Sequence, residues 1–460
     1  MSTATPTALD RARTKAYRRL LPLLFLCYVV AYVDRNNLSI AIKTMRQDMP
    51  AFNDDVLGTG AGIFFLGYFL LEIPGTLLVE MWSARKWISR IMITWGIVAA
   101  LTAVVKTPSQ FYVVRAFLGL AEAGFFPGVI VYLTHWFPSR DRTRALSWFL
   151  IGTPVAQAAS PLLSYPLLKI GTDRIVNGQP HHYPELLGLE GWQWVFIAWG
   201  IPAVVLGIIV LIFLTDRPRN ARWLDDDERE ALETELERER AEHHASRHMK
   251  LRDALKQPKV LVLAAAYFFI VTGNYGVEYF LPTILEKWYS LDEDHLRWLL
   301  IIPAAGSLIG QLFIGWSSDR TKERRAHASI PIYLGAAALA CTLLHQYPLP
   351  LMMVLFAIAA AGLKAYLPAF WALPSLFLTS TAAAGSIGFI NSVGNLGGFV
   401  GPKAMGYLSK RTGSYMPGIT ILCVSMAISA TIILLLPLGR RDKTPAPETD
   451  DLSDSIIEPR

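Results

Sequence analysis

Charge is scarce in this chain of 460 residues: only 17% are Asp, Glu, Lys or Arg, against about 25% in an ordinary soluble domain. Cysteine is scarcer still. Cys27, Cys341 and Cys423 are scattered through apolar stretches, a spacing that makes neither a disulfide framework nor a metal cluster, and all three are expected to be buried packing residues. No Walker loop, GxSxG elbow, HExxH helix or dinucleotide fingerprint occurs, so neither an ATP-driven pump nor a membrane hydrolase has support. His181-His182 lacks metal-ligand spacing, and neither a metal nor an organic cofactor is expected.

What abounds is apolar sequence, 53% of the chain. The runs 20–32, 91–105, 194–214 and 419–438 reach or approach the length that crosses a hydrocarbon layer about 30 Å thick. They recur from one end of the chain to the other, which excludes a soluble enzyme with a membrane tag. An outer-membrane barrel is excluded as well, since its strands are about 10 residues long and alternate in polarity. Twelve apolar windows fall at about 19–43, 56–81, 87–105, 109–136, 145–169, 192–214, 258–286, 296–317, 327–346, 349–373, 380–409 and 415–438. The first follows a basic segment with no small-x-small cleavage site and is expected to be a retained helix.

An even number of windows puts both chain ends on one side. The N-terminal segment, the loops at 82–90, 138–144, 215–257 and 318–325, and the tail hold most of the 43 basic residues. The opposite loops hold Lys43, Arg46, Lys106, Lys169, Arg174, Lys287, Arg297, Lys410 and Arg411. Basic loops stay cytoplasmic, so the sequence predicts a multi-pass protein of the bacterial inner membrane with both termini in the cytoplasm. The net charge of +6 is then a topogenic signal that also meets lipid headgroups, and no nucleic-acid partner is expected.

The longest polar stretch divides the windows six and six. The expected organisation is a cytoplasmic segment 1–18, a six-helix half 19–214, a cytoplasmic linker 215–257, a second half 258–438 and a cytoplasmic tail 439–460, acting as a monomer. In the linker, Glu230, Glu233 and Glu237 alternate with Arg229, Arg238 and Arg240, as in a surface helix held by i,i+3 and i,i+4 pairs. A merely solvated linker is the alternative.

The halves carry a repeat. Gly315-Trp-Ser-Ser-Asp319-Arg320-Thr-Lys322-Glu-Arg324-Arg325 follows the eighth window, and Glu80-Met-Trp-Ser83-Ala-Arg85-Lys86 follows the second. An acid at one helix end can hold cations of a neighbouring end and release them when the halves rock. Glu80, Arg85, Asp319, Arg320 and Arg324 are therefore candidate gate residues. This loop is similar to the signature of the major facilitator superfamily, although the first copy has Glu80 for Asp, Met81 for a basic residue, Ser83 for Gly and Thr76 for the leading Gly.

The chain further resembles the anion:cation symporters of that superfamily. The resemblance rests on Asp34-Arg35, Gly67-Tyr68-Phe-Leu-Leu-Glu72-Ile-Pro74, Arg115-Ala-Phe-Leu-Gly119-Leu-Ala-Glu122-Ala-Gly124-Phe-Phe-Pro127-Gly128, Phe370-Trp371-Ala-Leu-Pro374 and Ile390-Asn391-Ser-Val-Gly394-Asn395-Leu-Gly397-Gly398-Phe399. It implies an all-α membrane protein of twelve transmembrane helices in two six-helix pseudo-symmetric halves. It implies also uptake of a small organic anion with H+ by alternating access, the proton gradient serving in place of any cofactor.

Ionisable side chains at bilayer depth are costly and mark function by default. Asp34, Arg115 and Glu122 are read as the proton-coupling cluster: a movable guanidinium beside a desolvated acid switches it between holding and releasing a proton, and the resemblance implies the same role. A static salt bridge tying the first and fourth windows is the alternative. Arg35 can clamp a carboxylate with two parallel hydrogen bonds, unless it merely neutralises Asp34 or Glu72. Lys364, deep in the tenth window, is either a second anchor, which would suit a dianion held between the halves, or the partner of Glu278. Asn391 and Asn395 are spaced i,i+4 to reach substrate oxygens. Tyr68, Tyr275 and Trp371, with Tyr32, Tyr366 and Phe370, are candidate walls. Gly273-Asn-Tyr-Gly276 is expected to break the seventh helix, and Lys403 to snorkel outward.

The favoured substrate is an aromatic dicarboxylate of the phthalate kind. Tartrate, a sugar acid such as galactonate, and hydroxyphenylacetate are the alternatives. A nutrient receptor that keeps the fold without completing the cycle is the competing class.

Overall fold

A hydrocarbon solvent offers no partner to backbone N–H and C=O groups, so each apolar window satisfies them internally as a helix. The computed structural model describes residues 7–176, 179–245, 256–344, 347–377 and 380–437. The tail assigned to 439–460 and part of the linker lie outside them. Twelve spans follow in order. The first three are Ala8–Asp48, Asp54–Met81 and Ala84–Leu101; the fourth is Pro108–Glu122 continued by Phe125–Trp136; the fifth is Ser139–Leu150 continued by Gly152–Ser164; the sixth is Gly191–Phe213. The seventh is Pro258–Tyr289; the eighth is Glu293–Leu299 continued by Ile301–Thr321; the ninth is Arg325–Cys341; the tenth is Leu349–Ala365 continued by Leu367–Ala372. The eleventh is Ser380–Asn395 continued by Gly397–Thr412, and the twelfth is Met416–Leu434.

Ten of these spans are long and apolar enough to cross a membrane on composition alone. The ninth, of 17 residues, and the glycine-rich, divided eleventh depend on their neighbours. The first span starts well ahead of its apolar window, because Thr7 caps it, its hydroxyl accepting from the Asp10 N–H at 3.2 Å. Ion pairs to the linker then hold the added turns.

Small residues let the spans pack closely where lipid gives no hydrophobic drive. The third and sixth meet at Gly96 and Gly200, where a Cβ on either would lie 2.6 Å from the other's carbonyl oxygen. Gly273 and Gly276 serve the same end: Met426 and Leu422 of the twelfth span fill the space beside them, and the seventh span is one unbroken helix. The expected break there is corrected by this packing. Breaks occur instead in the fourth, fifth, eighth, tenth and eleventh spans. The cysteine expectation is corrected in part, since Cys27 is buried, Cys423 half-buried and Cys341 exposed.

The two halves close against each other on the side away from the linker. Gly58 of the second span packs on the Pro402 carbonyl of the eleventh. Ion pairs cross there: Lys43 to Glu286 at 2.9 Å, Lys169 to Asp294 at 2.9 Å and Lys403 to Asp55 at 2.6 Å. Asp54 takes Arg46, the Ser409 hydroxyl at 2.7 Å and the Tyr415 hydroxyl at 3.1 Å. Lys403 thus binds across the interface rather than snorkelling.

On the linker side, the ion pairs found among the described residues stay within a half or join it to the linker. Lys15 reaches Glu228 at 2.7 Å and Arg11 reaches Asp227 at 2.6 Å. The linker helix Asp226–Ala245 carries the expected short-range pairs, Arg229 to Asp226 and Arg238 to Glu235. It also buries Leu232 and Leu236, and so is docked rather than merely solvated.

Candidate functional site

The fourth span is where local sequence aims the site. Its first segment ends at Glu122, and Gly124 adopts φ +85°, a left-handed conformation open to glycine at little cost. The turn leaves Glu122 at the helix end and carries Phe125 and Phe126 into a cavity between the halves.

Glu122 takes its cation from the first span. Arg35 bonds it through one terminal nitrogen and donates through the other to the Tyr275 hydroxyl, 3.0 Å away, in the second half. Tyr32, Phe64 and Tyr68 face the guanidinium with ring centroids at 4.9, 5.4 and 5.9 Å, a geometry suited to a planar, weakly hydrated cation.

The three residues of the expected proton-coupling cluster hold separate hydrogen-bond partners. Arg115 and Glu122 are seven positions apart, about 10 Å along a helix, and Arg115 donates from Nε to the Gly60 carbonyl at 3.1 Å. Asp34 turns to the third span, accepting from Trp95 Nε1 at 2.7 Å and Asn37 Nδ2 at 3.0 Å. Asp34, Arg115 and Glu122 are all buried, but they do not form one bonded cluster. Arg35 is not a free clamp either, since it already holds a carboxylate.

The second half supplies a looser counterpart. Lys364 Nζ lies 3.5 Å from Glu278 Oε2, the alternative the sequence left open. Glu278 also accepts from Asn274 Nδ2 on its own span and from Gln157 Nε2 of the first half, each at 3.0 Å. Asn391 and Asn395 both donate to Glu72, Asn395 at 3.3 Å. These amides, expected to reach substrate, are already engaged by a carboxylate across the interface.

One cavity nevertheless gathers the proposed anchors and walls. Arg35, Tyr68, Tyr275, Lys364, Trp371, Asn391 and Asn395 all line a space of about 880 Å³ between atoms, together with Glu122. On the first span its lining runs from Tyr28 to Arg35, about the middle of that helix, and on the tenth from Leu363 to Trp371, the end toward the linker side. Behind Lys364 lies a second space of about 620 Å³, which shares Asn274, Leu363 and Lys364 with the first and has Glu278 and Gln157 in its wall. Sequence reasoning missed Gln157 and Tyr267, which lies 5.0 Å from Trp371 ring to ring. A lone amide inside the fifth apolar window was the available signal for Gln157.

In the loops, Asp319 pairs with Arg324 at 2.6 Å and Arg320 lies over Trp316 at 5.5 Å. The Glu80 side chain lies outside the described residues. The acid that meets the first-half loop is Asp216, at the end of the sixth span, which accepts from the Ser83 hydroxyl at 2.8 Å and the Arg85 N–H at 2.9 Å. Its distance in sequence from that loop hid it.

Arg35 beside Glu122 and Lys364 beside Glu278 bring one cation from each six-helix half to an aromatic-walled space between them. The comparisons agree with that architecture. The sequence profile of the Major Facilitator Superfamily matches residues 24–402 and 263–458. The chain is 38% identical over 428 residues to a protein of Agrobacterium vitis whose name assigns it provisionally to tartrate transport, covering 93% of this chain and 91% of that one. It is 38% identical over 435 residues to a quinolone resistance transporter of Acinetobacter baumannii, with 94% and 96% covered. The inward open xylose transporter XylE of E. coli superposes with a TM-score of 0.71 at 13% identity, over 92% of this chain and 97% of that one. By sequence and by fold, this chain belongs to the Major Facilitator Superfamily of membrane transporters.

Proposed function

We propose that the protein is a proton-coupled symporter that imports an organic carboxylate by alternating access. The observation that carries this reading is the placement of Arg35 and Lys364, from opposite halves, on one cavity, each beside a carboxylate that can accept a proton. A substrate carboxylate that takes over Arg35 leaves Glu122 buried without its cation, and a proton on Glu122 removes that cost. With both termini cytoplasmic in a bacterial inner membrane, as the basic loops predict, closure of the halves on the side away from the linker favours an inward-facing reading. Neither a metal nor a cofactor enters the scheme, and the monomer is the working unit.

The aromatic walls favour a ring-bearing dicarboxylate of the phthalate kind. Tartrate is the second reading, favoured by the relative named for tartrate transport. Uptake of labelled phthalate and tartrate into proteoliposomes under an imposed pH gradient tests both. The expected result is gradient-driven accumulation of phthalate that a protonophore abolishes. Accumulation indifferent to the gradient would remove proton coupling, and preference for tartrate would remove the aromatic substrate. Binding without counterflow would identify a receptor instead.

A further inference from the structure

The second half holds a carboxylate–cation pair that the coupling scheme above leaves unused. Glu278 and Lys364 face each other at 3.5 Å where the two cavities adjoin. The groups that other spans present to the space beside Glu278 are neutral apart from Lys364: Asn36 and Ser39 on the first, Gln157 on the fifth and Ser307 on the eighth. On its own span Asn274, Tyr275 and Tyr279 are its polar neighbours. Within this setting Lys364 is the ammonium that balances Glu278, just as Arg35 is the guanidinium that balances Glu122. Asp34, Arg115 and Glu72 stand outside both pairs, on Trp95, Gly60 and the two asparagines.

We infer that Glu278 is a second proton site, tied to Lys364, so that the number of protons carried follows the number of substrate carboxylates held. This rests on the reading of the protein as a proton-coupled carboxylate symporter. The two pairs, Arg35 with Glu122 on the first cavity and Lys364 with Glu278 where it adjoins the second, cancel while no substrate is held. A monocarboxylate that takes Arg35 adds one negative charge, and one proton on Glu122 restores neutrality. A dicarboxylate that also takes Lys364 strands Glu278. Leaving a buried carboxylate without its cation costs several kcal/mol, which a proton removes.

The surroundings of Glu278 suit the neutral acid. Asn274 and Gln157 donate to different oxygens of the carboxylate, so in the neutral acid one can go on donating to the carbonyl oxygen while the other turns over and accepts the O–H through its amide oxygen. Tyr275, hydrogen-bonded to Arg35, precedes Glu278 by one helical turn, so one helix touches both pairs on neighbouring turns. In sum, a dianion and two protons enter together, and no net charge moves.

The test is proton counting in proteoliposomes at a clamped potential, with an internal pH dye and labelled substrate. The pairs phthalate with benzoate and tartrate with glycerate compare two carboxylates with one. The expected wild-type ratio is about two protons per dicarboxylate and about one per monocarboxylate, with dicarboxylate uptake indifferent to membrane potential. In Glu278→Gln the dicarboxylate ratio falls to about one, and an inside-negative potential then opposes uptake. Equal ratios for both substrate types overturn the inference, as do an unchanged ratio in Glu278→Gln and transport confined to monocarboxylates. The wild-type comparison decides even if the variant fails to fold. Carboxylate transport with no proton movement at all overturns the underlying symport reading instead.

Discussion

The two halves present their cations differently. Arg35 is gripped: Glu122, the Tyr275 hydroxyl and three aromatic faces fix its planar head, and the Glu122 side chain is 3% exposed. Lys364 is held loosely, with one long contact to a Glu278 side chain that is 14% exposed and shared with two amides. A guanidinium suits a fixed fork and an ammonium a point charge that changes partners. On the proposed reading, the first half carries the obligatory anchor and the second half the one that tells substrates apart.

Removing Arg35 should have the largest effect. Arg35→Ala strands a buried carboxylate, an expected loss of about 3–5 kcal/mol, read as uptake reduced at least about 100-fold and a lower thermal midpoint. Equal losses in Arg35→Ala and Lys364→Met would erase the contrast between the halves. Lys364→Met is expected to raise KM for a dicarboxylate roughly 10- to 100-fold, the value of one charge-assisted hydrogen bond, while a monocarboxylate loses much less.

A smaller effect is expected at the closed side. Lys403→Ala removes a bond to Asp55 across the interface, worth about 1 kcal/mol in a partly exposed pair, which is about a fivefold shift in the balance of states. Maleimide labelling of a cysteine placed at Ser39, beside the inner space, should speed up accordingly; an unchanged rate would mean that the remaining contacts, Gly58 against Pro402 and the Lys43, Lys169 and Asp54 bonds, hold that side shut without it.

The smallest effect sharpens the comparison of the two loops. Where the first half uses Ser83 to cap a helix, the second uses Glu323, which accepts from the Ala326 and His327 N–H groups. Partial burial pushes the Glu323 carboxyl up, but these hydrogen bonds and His327 outweigh it and hold the group below its usual range. A lowered value in the folded state contributes stability above the unfolded pKa and loses it as pH falls through the folded one. Wild type should exceed Glu323→Gln by about 1 kcal/mol or less at neutral pH. That advantage should vanish once the pH drops below the carboxylate range, as thermal melts across pH will show.

Much of this was legible in the sequence. Hydropathy marks membrane helices because lipid forces backbone self-satisfaction, and the charges Arg35, Glu122, Glu278 and Lys364, deep within apolar windows, stood out because such groups are costly in hydrocarbon. Their partners were not legible. Helical periodicity puts Arg115 and Glu122 on one face, yet says nothing of Gly60 on the second span or of Arg35 on the first. The Gly273–Gly276 pair read as a break until Met426 and Leu422 were seen packed beside it.

The sequence by itself determined that the chain folds as two six-helix halves and which rare charges lie between them, because composition and period are local properties. The tertiary structure alone decided that Glu122 belongs to Arg35, Glu278 to Lys364 and Glu72 to the asparagines, because such a bond is chosen by whichever helix packs alongside, which no local pattern encodes.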